Sequence, residues 1–168
     1  MKFFTKVKRV LSFKKNQISE KLKKDLNKAT WENTNEFIPN LTFGKVIKVY
    51  DVDSITIVAK PYKKHSVSRF SIRLANIDGP ELRSRNEREK TAAQKARDIL
   101  KGKILNKFVY ITNVEIDKYG RYLCQVWLND ININSWLLTQ NLVVTYSGGK
   151  KNSPEDWLDY FDNRKMIE

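Results

Sequence analysis

At Phe43 the apolar residues change period, and no other feature of the sequence limits the fold as much. Before it they recur every three or four positions, as Phe3, Phe4, Val7, Val10 and Leu11 and then Ile18, Leu22 and Leu26, the spacing of a basic amphipathic helix. After it they come in β-branched runs. Residues 43–50 and 54–60 predict two strands joined by a hairpin at Asp51-Val52-Asp53, and residues 68–76 alternate Phe70, Ile72 and Leu74 with polar partners as a third strand. Residues 86–100 return to helical spacing, with Ala92, Ala93, Ala96, Ile99 and Leu100 on one side. Two further strands are expected at residues 108–114 and 122–128, around the turn Asp117-Lys118-Tyr119-Gly120, followed by a short helix at residues 134–140. A last helix is expected after Ser153 as N-cap, with Pro154 in its first position and Trp157, Tyr160 and Phe161 on its core face.

Three strands, a helix, two strands and further helices predict an α+β chain. Its expected centre is a five-stranded barrel of the oligonucleotide-binding (OB) type with about three helices; an open α+β sandwich is the alternative. Residues 1–40 are expected to form a basic extension ending in a linker around Pro39, and residues 41–168 the folded domain.

Lys and Arg number 32 against 19 acids, a net charge of +13, which favours polyanionic partners: nucleic acid first, an anionic membrane surface through residues 1–30 second. One cysteine, Cys124, excludes an internal disulfide framework and any multi-cysteine metal site, and one histidine, His65, excludes paired-imidazole zinc sites. The start lacks an uninterrupted apolar stretch, and the uncharged run 131–149 is studded with Asn, Ser, Thr and Gln, so neither a secretory signal nor a membrane span is expected. An intracellular location and a monomeric state are the expectations. Chemistry is left to carboxylates, arginines, hydroxyls or a bound ion.

Three segments at strand ends carry candidates for that chemistry: Asp51-Val52-Asp53-Ser54, Arg73-Leu74-Ala75-Asn76-Ile77-Asp78-Gly79-Pro80-Glu81, and Asp117-Lys118-Tyr119-Gly120-Arg121. Each alone is a weak signal. Together they place carboxylates and two arginines where the ends of several strands can converge at a barrel mouth.

In order and spacing these segments resemble the staphylococcal nuclease (thermonuclease-like) family, whose pattern runs D-G-D-T, then R-L-x-x-V/I-D-T-P-E, then D-K-Y-G-R. The resemblance covers about residues 43–146. It implies Ca²⁺ held by Asp53, Asp78 and the Gly79 carbonyl, and Glu81 as the general base toward water. It also implies Arg73 and Arg121 as clamps on the scissile phosphate, with Lys118, Tyr119 and Tyr146 as further substrate contacts. The implied reaction is hydrolysis of DNA or RNA phosphodiesters to 3′-phosphate and 5′-hydroxyl ends with low sequence specificity. The alternative is a catalytically silent OB module that binds nucleic acid or protein. The family's hairpin glycine is Val52 here and its D-T-P-E threonine is Gly79. A β-branched residue is costly at positive φ, so the hairpin is expected to be rebuilt with negative φ at Val52, and Gly79 to loosen its segment.

Overall fold

The computed structural model describes residues 19–149 and 152–163. The helical pattern over Phe3–Leu11 therefore lies outside the described residues. The chain divides into Met1–Phe37 and Ile38–Glu168. In the first unit a helix, α1 (Glu20–Asn27), is capped by Ser19, whose side chain accepts the Leu22 N–H at 3.1 Å; none of its residues is buried.

The second unit is a closed barrel. Strands β1 (Phe43–Asp51), β2 (Ser54–Ala59) and β3 (Ser68–Leu74) form an antiparallel meander. After β4 (Ile77–Asp78) and helix α2 (Glu87–Ile104) come β5 (Phe108–Ile116), antiparallel to β1, and β6 (Tyr122–Leu128), antiparallel to β5. A parallel pairing of β3 with β6, Ile72 opposite Tyr122 through Leu74 opposite Cys124, closes the ring and excludes the open sandwich. Alternation then does what it must in a small barrel: Val46, Ile57, Leu74, Val109 and Val126 point inward and are fully buried. Each such side chain contributes about 1.5–3 kcal/mol by leaving water. Two short pairings complete the unit, β7 (Ile131–Asn132) on β6 and β8 (Val144–Thr145) on β4, with helices α3 (Ile133–Thr139) and α4 (Trp157–Asp162).

The differences from expectation have local causes. Helix α2 runs past Leu100 because Ile104 extends the buried stripe by one turn, and Gly102 does not stop it. Strand β3 ends at Leu74, since Asn76 takes a left-handed φ of 63° and turns the chain into β4. Helix α4 starts later than expected, and its N-cap is Asp156 rather than Ser153. The Asp156 carboxylate accepts the Leu158 and Asp159 N–H groups and pairs with Arg88 of α2 at 2.6 Å, so it both caps the helix and fastens it to α2. No helix among the described residues is long and apolar enough to cross a membrane.

Candidate active site

The turn between β1 and β2 leaves only Val52 and Asp53 outside the ladder, because Asp51 pairs with Ser54. Asp51 accepts its neighbour Val52's N–H at 2.8 Å, and Asp53 accepts the Ser54 hydroxyl at 2.8 Å. From β3, Arg73 reaches back over this turn. One terminal nitrogen pairs with Asp53, and the other donates to Asp78 at 3.0 Å and to the Ile77 carbonyl at 3.1 Å. Arg73 thus binds both candidate metal carboxylates at once. All three side chains are largely buried, where charge-assisted hydrogen bonds are strong and a lost partner is costly.

The turn between β5 and β6 is organised by one carboxylate. Asp117 accepts the N–H groups of Tyr119 and Arg121, each at 2.9 Å, and the Arg121 Nε at 2.7 Å, while Gly120 takes a left-handed φ of 76°. Against the desolvation that pushes it up, these donors and the Arg121 charge hold Asp117 below the ordinary carboxylate range. The Tyr119 ring stands exposed, with Lys118 Nζ 5.1 Å and the Arg121 guanidinium 5.5 Å from its centre.

A single cleft of about 940 Å³ brings the three segments together. It is lined by Asp53, Arg73, Asp78, Gly79 and Glu81, by Lys118, Tyr119 and Arg121, and by Tyr146, so all nine residues to which the resemblance assigns a role meet there. Tyr146 is placed by its N–H bond to the Asn76 carbonyl at 3.0 Å. Arg83 and Arg85 lie on an exposed loop outside the lining. Cys124 is buried, and burial pushes its thiol up to about 12, which removes it as a nucleophile.

Residues 71–162 match the family described as "Staphylococcal nuclease homologue", over half of the chain. The chain belongs to this family. It is 32% identical over 104 residues to an Escherichia coli O157:H7 protein named an uncharacterized endonuclease, covering 61% of this chain and 60% of that one. It is 29% identical over 148 residues to a Schizosaccharomyces pombe protein named a probable endonuclease, covering 73% and 62%. Similarity to the protein ParB of Escherichia coli is 28% over 122 residues, covering 67% and 62%. The chain thus spans about 60% of the length of these curated relatives.

In this staphylococcal nuclease homologue the two departures at Val52 and Gly79 are one packing arrangement. The described residues with positive φ are five asparagines and three glycines, so Val52 sits in a rebuilt turn without left-handed strain. It is fully buried, and a Cβ added at Gly79 would lie 2.2 Å from its Cγ1. The valine fills the space that a side chain at 79 needs. Gly79 is therefore packed against a neighbour, and the expected loosening gives way to close contact.

Electrostatics differ across the cleft. Burial pushes Asp51 up from an ordinary 3.8 to about 6, with the charges of Asp53 and Glu81 adding to it. Glu81 is also raised, by burial first and then by Asp53 and Glu89, against the pull of Arg73 and Arg121. Among the described residues no cluster of three or more His, Cys, Asp or Glu side chains gathers around one point. The donor chemistry still suits a hard divalent cation. Asp53 and Asp78 converge on one guanidinium, and such a cation takes carboxylate, carbonyl and water oxygens.

Two positioning residues escaped the sequence reading. Glu89 accepts the Glu81 N–H at 3.1 Å and the Ser84 hydroxyl at 2.6 Å, fixing the loop that carries Glu81. Its signal was the capping spacing Asn86-x-x-Glu89, although this Glu reaches beyond its own cap. Asn134 is buried, accepts the Val126 N–H, and donates to the Ala75 and Cys124 carbonyls, which ties the segment between Arg73 and Asp78 to β6. An asparagine in the first turn of a short helix gives no such signal.

Proposed function

We propose that this protein is a Ca²⁺-dependent nuclease that hydrolyses DNA or RNA phosphodiesters with little sequence preference, leaving 3′-phosphate and 5′-hydroxyl ends. One observation carries the reading: two carboxylates share one arginine on the wall of a cleft that also holds a second arginine and a carboxylate of raised pKa. A surface that only holds a polyanion has no use for three carboxylates facing phosphate.

Asp53 and Asp78, with the Gly79 carbonyl, would hold the cation, which supplies positive charge beside the scissile phosphate. Glu81 takes the proton of the attacking water; its raised pKa makes it a better proton acceptor than an ordinary glutamate. Arg121 and Arg73 donate paired hydrogen bonds to the phosphate oxygens as charge builds on them. The water oxygen bonds to phosphorus, the bond from phosphorus to the 5′ oxygen breaks, that oxygen takes a proton from solvent to become the 5′-hydroxyl, and Glu81 returns its proton to solvent. Lys118, Tyr119 and Tyr146 contact the flanking nucleotide.

Plasmid and RNA incubated with Ca²⁺ or with EDTA test this directly, with cleavage expected in Ca²⁺ alone. Glu81→Gln should keep cation binding and lose about 10²–10⁴-fold in rate. Asp53→Asn should raise the Ca²⁺ concentration required. Cleavage in EDTA removes the cation from the mechanism, and binding without cleavage in either condition identifies a silent binding module.

A further inference from the structure

The outer face of the barrel carries a feature that the cleft does not use. Phe43 on β1 and Phe108 and Tyr110 on β5 are 46%, 61% and 58% exposed, although both strands bury their alternate residues. The rings form one cluster: Phe43 lies 5.5 Å from Phe108, with planes 6° apart, and 5.2 Å from Tyr110. Register explains it, since Phe43 pairs with Tyr110 and Lys45 with Phe108. Farther along β1, Lys48 sits 5.5 Å over the ring of Tyr50, which is 46% exposed, and both line the cleft. The residues of β1 that reach solvent thus run Phe43, Lys45, Ile47, Lys48 and Tyr50 from its start to the cleft.

From this we infer that β1 is a track for single-stranded nucleic acid, its bases stacking on the Phe43–Phe108–Tyr110 cluster and its phosphates meeting Lys45 and Lys48. An exposed aromatic patch on a monomer marks a binding surface, and the lysines choose the occupant. A second copy of a chain of net charge +13 would bring like charge against like. A single strand offers both flat faces and negative charge, whereas a duplex hides its base faces. At about 3.3 Å per residue the nine residues of β1 span roughly 30 Å, room for several nucleotides. The inference rests on the nuclease reading for where the strand leads and adds to it a binding surface outside the cleft.

The test measures binding of the full chain in EDTA by fluorescence anisotropy, so cleavage plays no part. The probes are labelled 20-nucleotide oligothymidylate, a 20-base-pair duplex and a trinucleotide. Phe108→Ala with Tyr110→Ala should weaken the 20-mer by about 10–100-fold, given the usual worth of a stacked base. Duplex and trinucleotide should each move by less than about twofold on the same grounds. Lys45→Glu should weaken the 20-mer and flatten its salt dependence. Phe43→Leu, which keeps the apolar bulk and removes the ring, carries the test if the double variant fails to fold. Unchanged 20-mer affinity, an equal loss on all three probes, or a dimer that the double variant splits would each overturn the track. A wild-type chain that binds the 20-mer through these rings and never cleaves it would sink the nuclease reading alone.

Discussion

Two hairpins build the cleft, and each uses a glycine for a different physical reason. Between β5 and β6, Gly120 takes a φ of 76°, and nothing lies within 4 Å of where its Cβ would be, so glycine is there for conformation. Beside the β1–β2 hairpin, Gly79 takes no positive φ, and its missing Cβ is space that Val52 fills, so glycine is there for volume. The first turn is solvated and set by one carboxylate; the other is set by a buried contact between segments far apart in sequence. A turn held by its own hydrogen bonds can keep its motif alone. One held by packing changes only in pairs.

The strongest test of that contrast is Gly79→Thr. Alone it should overpack the wall and destabilise by about 3 kcal/mol, the upper range for small-to-large changes in a close-packed site. Val52→Gly alone empties a fully buried position and should cost about 2–3 kcal/mol in lost burial and glycine entropy. The two together should recover about 2 kcal/mol of the summed loss, within the range for contacting pairs. Urea midpoints at constant slope read all three variants, and strictly additive losses would break the comparison.

Gly120 should respond more mildly and without a partner. Gly120→Ala faces left-handed strain of about 1–2 kcal/mol and no clash. Gly120→Asn should cost less than alanine, because asparagine tolerates that region and already occupies it at Asn76, Asn106, Asn113, Asn129 and Asn141. Equal losses for Ala and Asn would mean that space rather than φ selects this glycine.

The same division explains what could be read from the residues alone. Phe70, Ile72 and Leu74 announce a strand by period, and the alanines of α2 announce its buried side, because local spacing decides which face meets the core. The three polar segments were legible because each sits at the end of such an element. Strands β4, β7 and β8 are two residues long and exist only through partners distant in sequence, and such pairing leaves no periodic trace. The parallel closure of β3 on β6, the Val52–Gly79 contact and the Asn134 bridge are likewise products of assembly. The cap of α4 was misplaced because Ser153 and Asp156 both suit the position, and the pairing of Asp156 with Arg88 decided between them.

The smallest effect concerns the carboxylates of the two hairpins, which are shifted in opposite directions. Asp51 is raised by burial to about 6, so the folded state holds its proton more tightly than the unfolded chain does. Its contribution to stability is complete below about pH 4, the ordinary carboxylate range, and is lost as pH rises through 6. Asp117 is lowered, so its contribution is present above the ordinary carboxylate range and is lost only as pH falls below it. Measured in urea with EDTA present, Asp51→Asn should therefore gain on wild type between pH 4 and 7. The gain should be on the order of 1 kcal/mol, once solvent screening of a partly exposed group is allowed for. Asparagine keeps an oxygen to accept the Val52 N–H, so the turn itself should hold. Asp117→Asn should lag wild type across that whole range and approach it only in stronger acid, because it gives up the ion pair with Arg121. Difference curves that slope the same way would mean that one environment governs both turns, and the contrast between a packed hairpin and a hydrogen-bonded one would fall with them.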